Sequence, residues 1–231
     1  MSQPHRAPRV HDLLRLEDEA RDRLIKDAEE DGAVWAADSL TSNPWVVVRR
    51  ARPSEPSLLA IGIRGDRRIH RRAAEVPADG FSCLLAPPDL VDRVDLVGPE
   101  RSRLGAVSAC RILASMKSPG PPHLHTGQWG PGGSLGVELA TGSSTVTRDS
   151  DLDLVIQVQD IPCPSDLGDI ANLLADIAEQ TGTRVDTLLE TPSGGFALGE
   201  LIESMRTGAS PTVAMRTACG PKLVAIPGRL P

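Results

Sequence analysis

The most restrictive feature of this sequence is DLDLVIQVQ at 151–159, in which every second residue is apolar. Successive side chains of a β-strand point to opposite faces, so this alternation predicts a strand with one apolar face. The same spacing places Asp151 and Asp153 side by side on the other face, at the start of the strand. Any fold of this chain must therefore bury one face of the strand and accommodate two neighbouring carboxylates on the other.

The residues after this strand predict a helix and then a second strand. CPSDLGDIANLLADIAEQTG starts at a Ser165 cap, repeats apolar residues on one helical face and stops at Gly182. TRVDTLLE at 183–190 predicts a strand that carries Asp186 near its middle. If the two strands are neighbours in a sheet, Asp186 joins the first two carboxylates.

The rest of the chain predicts further helices and strands. Apolar residues at helical spacing predict a helix over 12–31 that stops at Gly32. The β-branched stretches PWVVVRRA and SLLAIGIRG predict two strands, and residues 101–117 predict another helix. TVAMRTACGPKLVAIPG at 212–228 predicts two strands joined by a Cys-Gly-Pro turn.

The loop SPGPPHLHTG at 118–127 marks the predicted boundary between two parts of the chain. We expect an N-terminal lobe at 1–117 and a catalytic domain at 118–231. The order of elements predicts an α+β fold, in which the catalytic domain has a mixed sheet and the N-terminal α/β lobe is smaller.

Composition narrows the location and the partners of the protein. The 231 residues carry a net charge of −6, with no Tyr and two Phe. Nucleic-acid binders are usually basic and offer aromatic stacking platforms, so no nucleic-acid partner is expected. No apolar run approaches the roughly 18 residues of a membrane span, and the first residues lack the apolar segment of a secretory signal. The four cysteines form no Cys-x-x-Cys pair, so a cytoplasmic location with no membrane partner is expected.

Gly133 and Ser134 lie in WGPGGSLG, at a predicted turn into a helix. Small residues at such a turn leave backbone N–H groups free to bind a phosphate. Adjacent carboxylates repel each other and favour a cation between them, and Mg²⁺ takes carboxylates together with substrate phosphates. Asp151, Asp153 and Asp186 would suit two Mg²⁺ ions, or Mn²⁺ as the alternative, in a phosphoryl transfer. By itself, Asp-x-Asp is also common on solvated strands.

Taken together, these features resemble the signature of the nucleotidyltransferase fold. The Gly-Ser pair, SDLDLVI, an amphipathic helix and a strand with an isolated Asp occur in that order. The spacing from Ser134 to Asp151 is longer than in most members of that superfamily. The insert resembles one family, phosphoribosyl-dephospho-CoA transferase, also called malonate decarboxylase holo-acyl-carrier-protein synthase. GSLGVELATG, SDLDL and ETPSGGFAL are its most specific motifs here, and the similarity covers most of 11–225.

The resemblance implies an activity, a substrate and a partner. Enzymes of this family transfer phosphoribosyl-dephospho-CoA from 2'-(5-triphosphoribosyl)-3'-dephospho-CoA to a serine of an apo acyl-carrier protein, and pyrophosphate leaves. The carrier is the acyl-carrier subunit of malonate decarboxylase. The two motif aspartates of the family correspond to Asp151 and Asp153, which are therefore the expected catalytic and metal-binding residues.

Several further residues are candidates for contacts with the substrate or the partner. A basic run within 64–72 fits either a solvated face or a patch for the triphosphate, the CoA diphosphate or an acidic carrier. Its candidate contact residues are Arg64, Arg67, Arg68 and Arg71. Glu190 lies on the Asp186 face of its strand and either reaches the site or is a solvated strand end. Arg216 either contacts phosphate or caps the terminal hairpin.

Two other functions are compatible with the sequence. An adenylyltransferase of the same fold, acting on a protein or small-molecule hydroxyl, would carry the same catalytic motif. A non-catalytic module that binds a carrier protein would be marked by the loss of an aspartate. Asp151, Asp153 and Asp186 are all present, and the motifs outside the catalytic segment favour the transferase.

Overall fold

The computed structural model describes residues 6–67, 69–116, 121, 123–124, 128–207 and 212–226. Contacts between residues divide the chain into two compact units, with the division between Ala86 and Pro87. Each unit has its own sheet, one of five strands and one of six. No helix within the described ranges is long and apolar enough to span a bilayer.

The first unit is an antiparallel sheet with two helices on one face. Its strands are β1 (Leu13–Leu16), β2 (Trp45–Val48), β3 (Leu58–Arg64), β4 (Arg71–Pro77) and β5 (Phe81–Leu85), and its helices are α1 (Asp18–Glu30) and α2 (Val34–Ser42). The strand order is β4-β3-β2-β1-β5. Leu24 and Leu40 of the helices pack with Leu14, Val46 and Ile61 of the strands in one core, which fixes the helices to that face.

The helix predicted over 12–31 is wrong in its first part. Residues Leu13–Leu16 form the strand β1, and only Asp18–Glu30 is helical. The sequence LLRL fits both periods, because Leu13 and Leu16 share one face of a helix, whereas Leu14 and Leu16 share one face of a strand. The tertiary structure decides, since β1 pairs with β2 on one side and with β5 on the other.

The second unit contains a six-stranded sheet, which is mixed as predicted. Its strands are β6 (Trp129–Pro131), β7 (Leu152–Gln157), β8 (Val185–Thr191), β9 (Gly194–Ala197), β10 (Thr212–Thr217) and β11 (Gly220–Ala225). Its helices are α3 (Gly105–Ser115), α4 (Gly133–Thr141), α5 (Pro164–Thr181) and α6 (Leu198–Thr207), after 3-10 segments at Pro87–Leu96 and Arg101–Arg103. Only β7 and β8 are parallel, and the other neighbours are antiparallel. The α+β class is therefore confirmed.

The predicted helix after β7 and the terminal hairpin are present with small differences. Helix α5 begins at Pro164 with Cys163 as its N-cap, two residues earlier than the predicted Ser165 cap. It ends at Thr181 and is followed by the predicted stop residue Gly182, with φ of 62°. The hairpin β10–β11 forms as expected. Strand β9 and helix α6 were not predicted, because the Gly-rich segment before them lacks a clear period.

The division of the chain differs from the predicted lobes of 1–117 and 118–231. The predicted boundary at 117–118 lies outside the described residues, whereas contacts group residues 87–116 with the second unit. Close packing explains this grouping, because a Cβ on Gly130 of β6 would overlap the backbone of Pro87. Segment Pro87–Leu96 therefore lies directly against the sheet that carries the aspartates.

Candidate active site

The carboxylates meet on neighbouring parallel strands. The register of β7 and β8 places Asp153 directly opposite Asp186, so both side chains lie on the same face of the sheet. Asp151 precedes the first residue of β7 by one position and has the same parity as Asp153. The expected adjacency of the two strands is therefore observed, and it brings the three aspartates to one end of the sheet.

A guanidinium lies between two of these aspartates. Nη2 of Arg184 donates to Oδ2 of Asp151 at 3.0 Å and also to Oδ2 of Asp186. The charges of Asp186 and Asp151 raise the pKa of Arg184. Sequence reasoning missed Arg184, although the spacing in TRVDT places it on the same strand face as Asp186. Its positive charge offsets the repulsion between carboxylates that share this face.

The start of helix α4 packs against Asp153. The amide of Gly132 donates to the Asp153 carbonyl at 2.8 Å, which joins the helix start to β7. Gly133 has a φ of +55°, and a Cβ built there would lie 2.6 Å from Asp153 Cγ. The Asp153 carboxylate thus lies directly over the Gly133 Cα. Ser134 follows in the first helical turn, where backbone N–H groups have no acceptor inside the helix.

Replacing Gly133 by Ala is expected to lower the rate of the predicted phosphoryl transfer about 100-fold. Asp153 is the predicted catalytic carboxylate, and displacing a catalytic group by about 1 Å has an effect of that size. The new Cβ would push the Asp153 carboxylate away, and φ of +55° is strained for Ala. Gly132→Ala is the matched control, since its φ is −108° and its nearest contact would be 3.5 Å. Steady-state kinetics of both variants test this prediction. Equal rates for Gly133→Ala and Gly132→Ala would show that the contact between Gly133 and Asp153 does not matter for the reaction.

A buried ion pair holds the linker between α4 and β7. Glu138 of α4 is 5% exposed and accepts hydrogen bonds from Nε and Nη2 of Arg101 at 2.5 and 2.6 Å. The same carboxylate accepts the backbone amides of Thr145 and Val146 at 2.9 and 2.8 Å. Burial raises the pKa of Glu138, but Arg101 and these amides outweigh burial and lower it overall. The Glu138 carboxylate is therefore favoured in its charged form, and both of its oxygens accept hydrogen bonds.

The linker is also attached to the phosphate-binding candidate. The hydroxyl of Thr145 donates to the Ser134 carbonyl at 2.7 Å. Helix α4 ends at Gly142 with φ of 75°, and the chain then passes back along the helix toward Asp151. The long spacing between Ser134 and Asp151 is thus an ordered connection that fixes the start of α4 relative to the aspartates.

The three aspartates meet some of the requirements of a site for a hard divalent cation. Carboxylate oxygens are the ligands that Mg²⁺ takes, and Arg184 shows that a positive charge is accommodated between Asp151 and Asp186. Within the described ranges, no group of three His, Cys, Asp or Glu side chains is arranged to hold a metal ion. Two of the three aspartates turn to Arg184 instead. Mg²⁺ often takes only one or two carboxylates with substrate phosphates, so Asp151 and Asp153 fit that mode.

The basic run forms the tip of the β3–β4 hairpin. Arg64 ends β3 directly opposite Arg71 of β4, and Arg67 is exposed in the turn between them. Arg68 lies outside the described residues. Arg72 instead turns toward α1 and pairs with Asp31. The run is therefore divided between the two faces of the N-terminal sheet and is not one continuous patch.

Glu190 and Arg216 lie away from the aspartates along the sheet. Glu190 is opposite Gln157, four residues along β8 from Asp186, which corresponds to about 13 Å of extended strand. Arg216 of β10 is opposite Gly195, which in turn is opposite Glu190. The structure thus places Glu190 and Arg216 in one row of the sheet and does not bring them to Asp153.

Comparisons with known proteins define the class of the chain as a transferase. The family model of the phosphoribosyl-dephospho-CoA transferase MdcG N-terminal domain matches residues 9–87, and that of the C-terminal domain matches residues 101–227. These matched segments correspond closely to the two structural units. No solved structure gives a significant match.

Curated relatives agree with the domain matches. A Pseudomonas putida protein named phosphoribosyl-dephospho-CoA transferase is 34% identical over 96% of this chain and 95% of its own length. Proteins of the same name from Azotobacter vinelandii and Klebsiella pneumoniae (strain 342) are 35% and 32% identical, over 96% and 95% of this chain and 95% and 96% of their own lengths. The chain belongs to the phosphoribosyl-dephospho-CoA transferase MdcG family.

Proposed function

We propose that this protein transfers phosphoribosyl-dephospho-CoA from 2'-(5-triphosphoribosyl)-3'-dephospho-CoA to a serine of the apo acyl-carrier protein of malonate decarboxylase, in the cytoplasm. The observation that carries the proposal is the register of Asp153 with Asp186, with the Gly133-Ser134 helix start packed on Asp153. This constellation suits a nucleotidyltransferase reaction at a triphosphate. Family membership supplies the substrate class.

In the proposed step, the carrier serine Oγ attacks the α-phosphorus in line with the leaving pyrophosphate. The new Oγ–P bond forms as the bond to the β-phosphate bridging oxygen breaks, and that oxygen leaves with pyrophosphate. The side chains of Asp151 and Asp186 are 37% and 48% exposed, so water can take the serine proton. The protein's contribution is to position the reactants and to balance their charge.

The helix start and the aspartates would bind opposite parts of the triphosphate. The N–H groups of Gly133 and Ser134 offer donors to phosphate oxygens at the positive end of α4. Asp151 and Asp153, with Asp186 as a third candidate, would hold Mg²⁺, which supplies positive charge to the entering and leaving oxygens when bound. The Glu138–Arg101 pair holds the linker that connects these two groups along the chain.

Arg184→Gln is expected to bind Mn²⁺ about fivefold more tightly, because the variant lacks the cation that pairs with Asp151 and Asp186. Electron paramagnetic resonance of free Mn²⁺ measures the affinity without any turnover. Arg148→Gln is the matched control, since Arg148 is exposed in the linker close to Asp151. Equal affinity of the two variants would show that Arg184 does not compete with the metal.

Mass spectrometry of the apo carrier tests the proposed function directly. The carrier is incubated with the protein, Mg²⁺ and the triphosphoribosyl precursor, and in parallel with ATP. We expect a phosphoribosyl-dephospho-CoA adduct and equimolar pyrophosphate from the precursor alone. A carrier with its acceptor serine changed to Ala is the negative control.

The two alternative functions have their own outcomes in this experiment. An AMP adduct from ATP, with no adduct from the precursor, would identify an adenylyltransferase of the same fold. Binding of the carrier without any adduct would identify a non-catalytic module. Both outcomes would reject the proposed transfer.

A further inference from the structure

Arg184 is attached to the sheet by its backbone and to the aspartates by its side chain. Its carbonyl accepts the Leu152 amide at 2.9 Å, which fixes its Cα at the start of the β7–β8 pair. Its side chain is 64% exposed, although Nη2 donates to Asp151 and to Asp186. The guanidinium can therefore exchange these carboxylates for another anion without any movement of the strands.

The present pairing of Arg184 is weak for an ion pair. Exposed pairs contribute little to stability, because water and salt screen the charges. Asp151 is half-buried and Asp186 is exposed, so both pairs are open to solvent. Arg184 therefore loses little when its guanidinium leaves these two side chains.

Metal binding in the proposed function would require such an exchange. Oδ2 of Asp151 and Oδ2 of Asp186 accept hydrogen bonds from Arg184, and both carboxylates are candidate ligands of Mg²⁺. A guanidinium and a divalent cation on the same oxygen repel each other strongly. Arg184 would then need another anion close by, since its backbone is held by Leu152.

The start of helix α4 lies on the other side of the same carboxylates. Gly133 packs on Asp153, and Asp153 is directly opposite Asp186. Neighbouring strands are about 4.8 Å apart, so two strand spacings, about 10 Å, separate the helix start from the guanidinium on Asp186. The positive end of the helix and Arg184 thus flank the aspartates, and a chain of phosphates placed between them would contact both.

A guanidinium binds phosphate better than it binds the two aspartates in this arrangement. One nitrogen, Nη2, donates to both Asp151 and Asp186, so neither carboxylate is bound in the bidentate manner that guanidinium favours. Phosphate oxygens match the planar fork of arginine and accept two parallel hydrogen bonds. A triphosphate also brings several negative charges to one place, whereas each aspartate brings one.

We propose that Arg184 binds the triphosphate of the substrate and leaves Asp151 and Asp186 as the triphosphate and Mg²⁺ enter. Arg184 offsets the repulsion between the aspartates before the substrate binds, and it contacts phosphate oxygens opposite α4 afterwards. This inference rests on the proposed function, because that function supplies the triphosphate. It adds a charged phosphate contact to the backbone N–H groups of Gly133 and Ser134.

Isothermal titration of the full chain with inorganic triphosphate in metal-free buffer tests the contact without carrier or turnover. We expect Arg184→Gln to raise Kd about tenfold, as loss of a charge-assisted contact does. Arg184→Lys should restore only part of the affinity, because an ammonium group lacks the bidentate fork. Arg148→Gln removes an exposed arginine from the linker close to Asp151 and should change Kd less than about twofold. Thermal unfolding confirms that each variant is folded.

A double-mutant cycle tests whether Arg184 leaves Asp186 to make this contact. Asp186→Asn removes a repelling charge and one acceptor of the guanidinium, so it should lower the Kd for triphosphate. Relief of repulsion occurs with or without Arg184, whereas release of the guanidinium requires Arg184. The gain should therefore be about threefold smaller in the Arg184→Gln background. Asp149→Asn, an exposed change in the linker, should have the same small effect in both backgrounds.

Four results would overturn the proposal. Equal effects of Arg184→Gln and Arg148→Gln, or no binding of triphosphate by the wild-type protein at millimolar concentration, would reject the contact. An additive cycle would reject the release from Asp186. Weaker binding of ATP by Arg184→Gln, with unchanged binding of the triphosphoribosyl precursor, would assign the contact to an adenylyltransferase instead.

Failure of this inference and failure of the proposed function give different results. Transfer to the carrier together with triphosphate binding that does not depend on Arg184 rejects only the inference. Triphosphate binding that depends on Arg184, without any transfer, rejects only the proposed function.

Discussion

Substitution of Asp153 by Asn is expected to lower the rate of transfer roughly 10³-fold or more, with the fold intact. Asp153 is opposite Asp186 in the neighbouring strand and also lies over Gly133. It therefore contacts the helix start and lies beside the other carboxylates. In the proposed mechanism, loss of one charge there would weaken the binding of Mg²⁺ at the entering and leaving oxygens, which is worth several kcal/mol. Single-turnover kinetics in saturating Mg²⁺ measure the effect. Turnover above a tenth of the wild-type value would reject this role.

Asp151→Asn should lose activity to a comparable degree. Asp151 is paired with Arg184 at 3.0 Å, so its substitution removes an exposed ion pair and leaves stability nearly unchanged. Asp149→Asn is the control, because Asp149 is exposed in the linker two residues before Asp151. Its rate should remain within about twofold of wild type.

The sequence predicts the carboxylate cluster because its determinants are local. The strict alternation from Asp151 onward specifies the exposed face of β7, and the short strand–helix–strand segment makes β8 the parallel neighbour. Once β8 is the neighbour of β7, strand alternation places Asp186 on the same face of the sheet as Asp153. Arg184 follows from the same parity, so its position beside Asp186 could also have been predicted.

Other features depend on contacts between distant residues and were beyond sequence reasoning. Arg101 and Glu138 are 37 residues apart, so nothing in GSLGVELATG shows which cation its glutamate binds. Strand register likewise sets Arg64 opposite Arg71 and Trp45 opposite Arg15, and no linear pattern shows these pairs.

Glu138→Gln is expected to lower the free energy of unfolding by about 3 kcal/mol at pH 7. Removing one partner of a buried ion pair leaves the other charge uncompensated, and the cost is at the lower end of the usual range because Arg101 is 31% exposed. Gln also bonds the Thr145 and Val146 amides more weakly than a carboxylate does. Urea unfolding measures the change. Glu179→Gln, an exposed change in α5, should stay within about 0.5 kcal/mol of wild type.

The pH dependence of stability separates the charge of Glu138 from its shape. Because the pKa of Glu138 is lower in the folded protein than its usual value, this residue stabilises the fold above about pH 4.3, and its contribution is lost as the pH falls through the folded pKa. The difference in unfolding free energy between wild type and Glu138→Gln should therefore shrink on acidification below that pH. A double-mutant cycle with Arg101→Gln should give a favourable coupling energy. A pH-independent difference with no coupling would mean that Glu138 only fills space beside the linker, and the ordered connection between Ser134 and Asp151 would then need another cause.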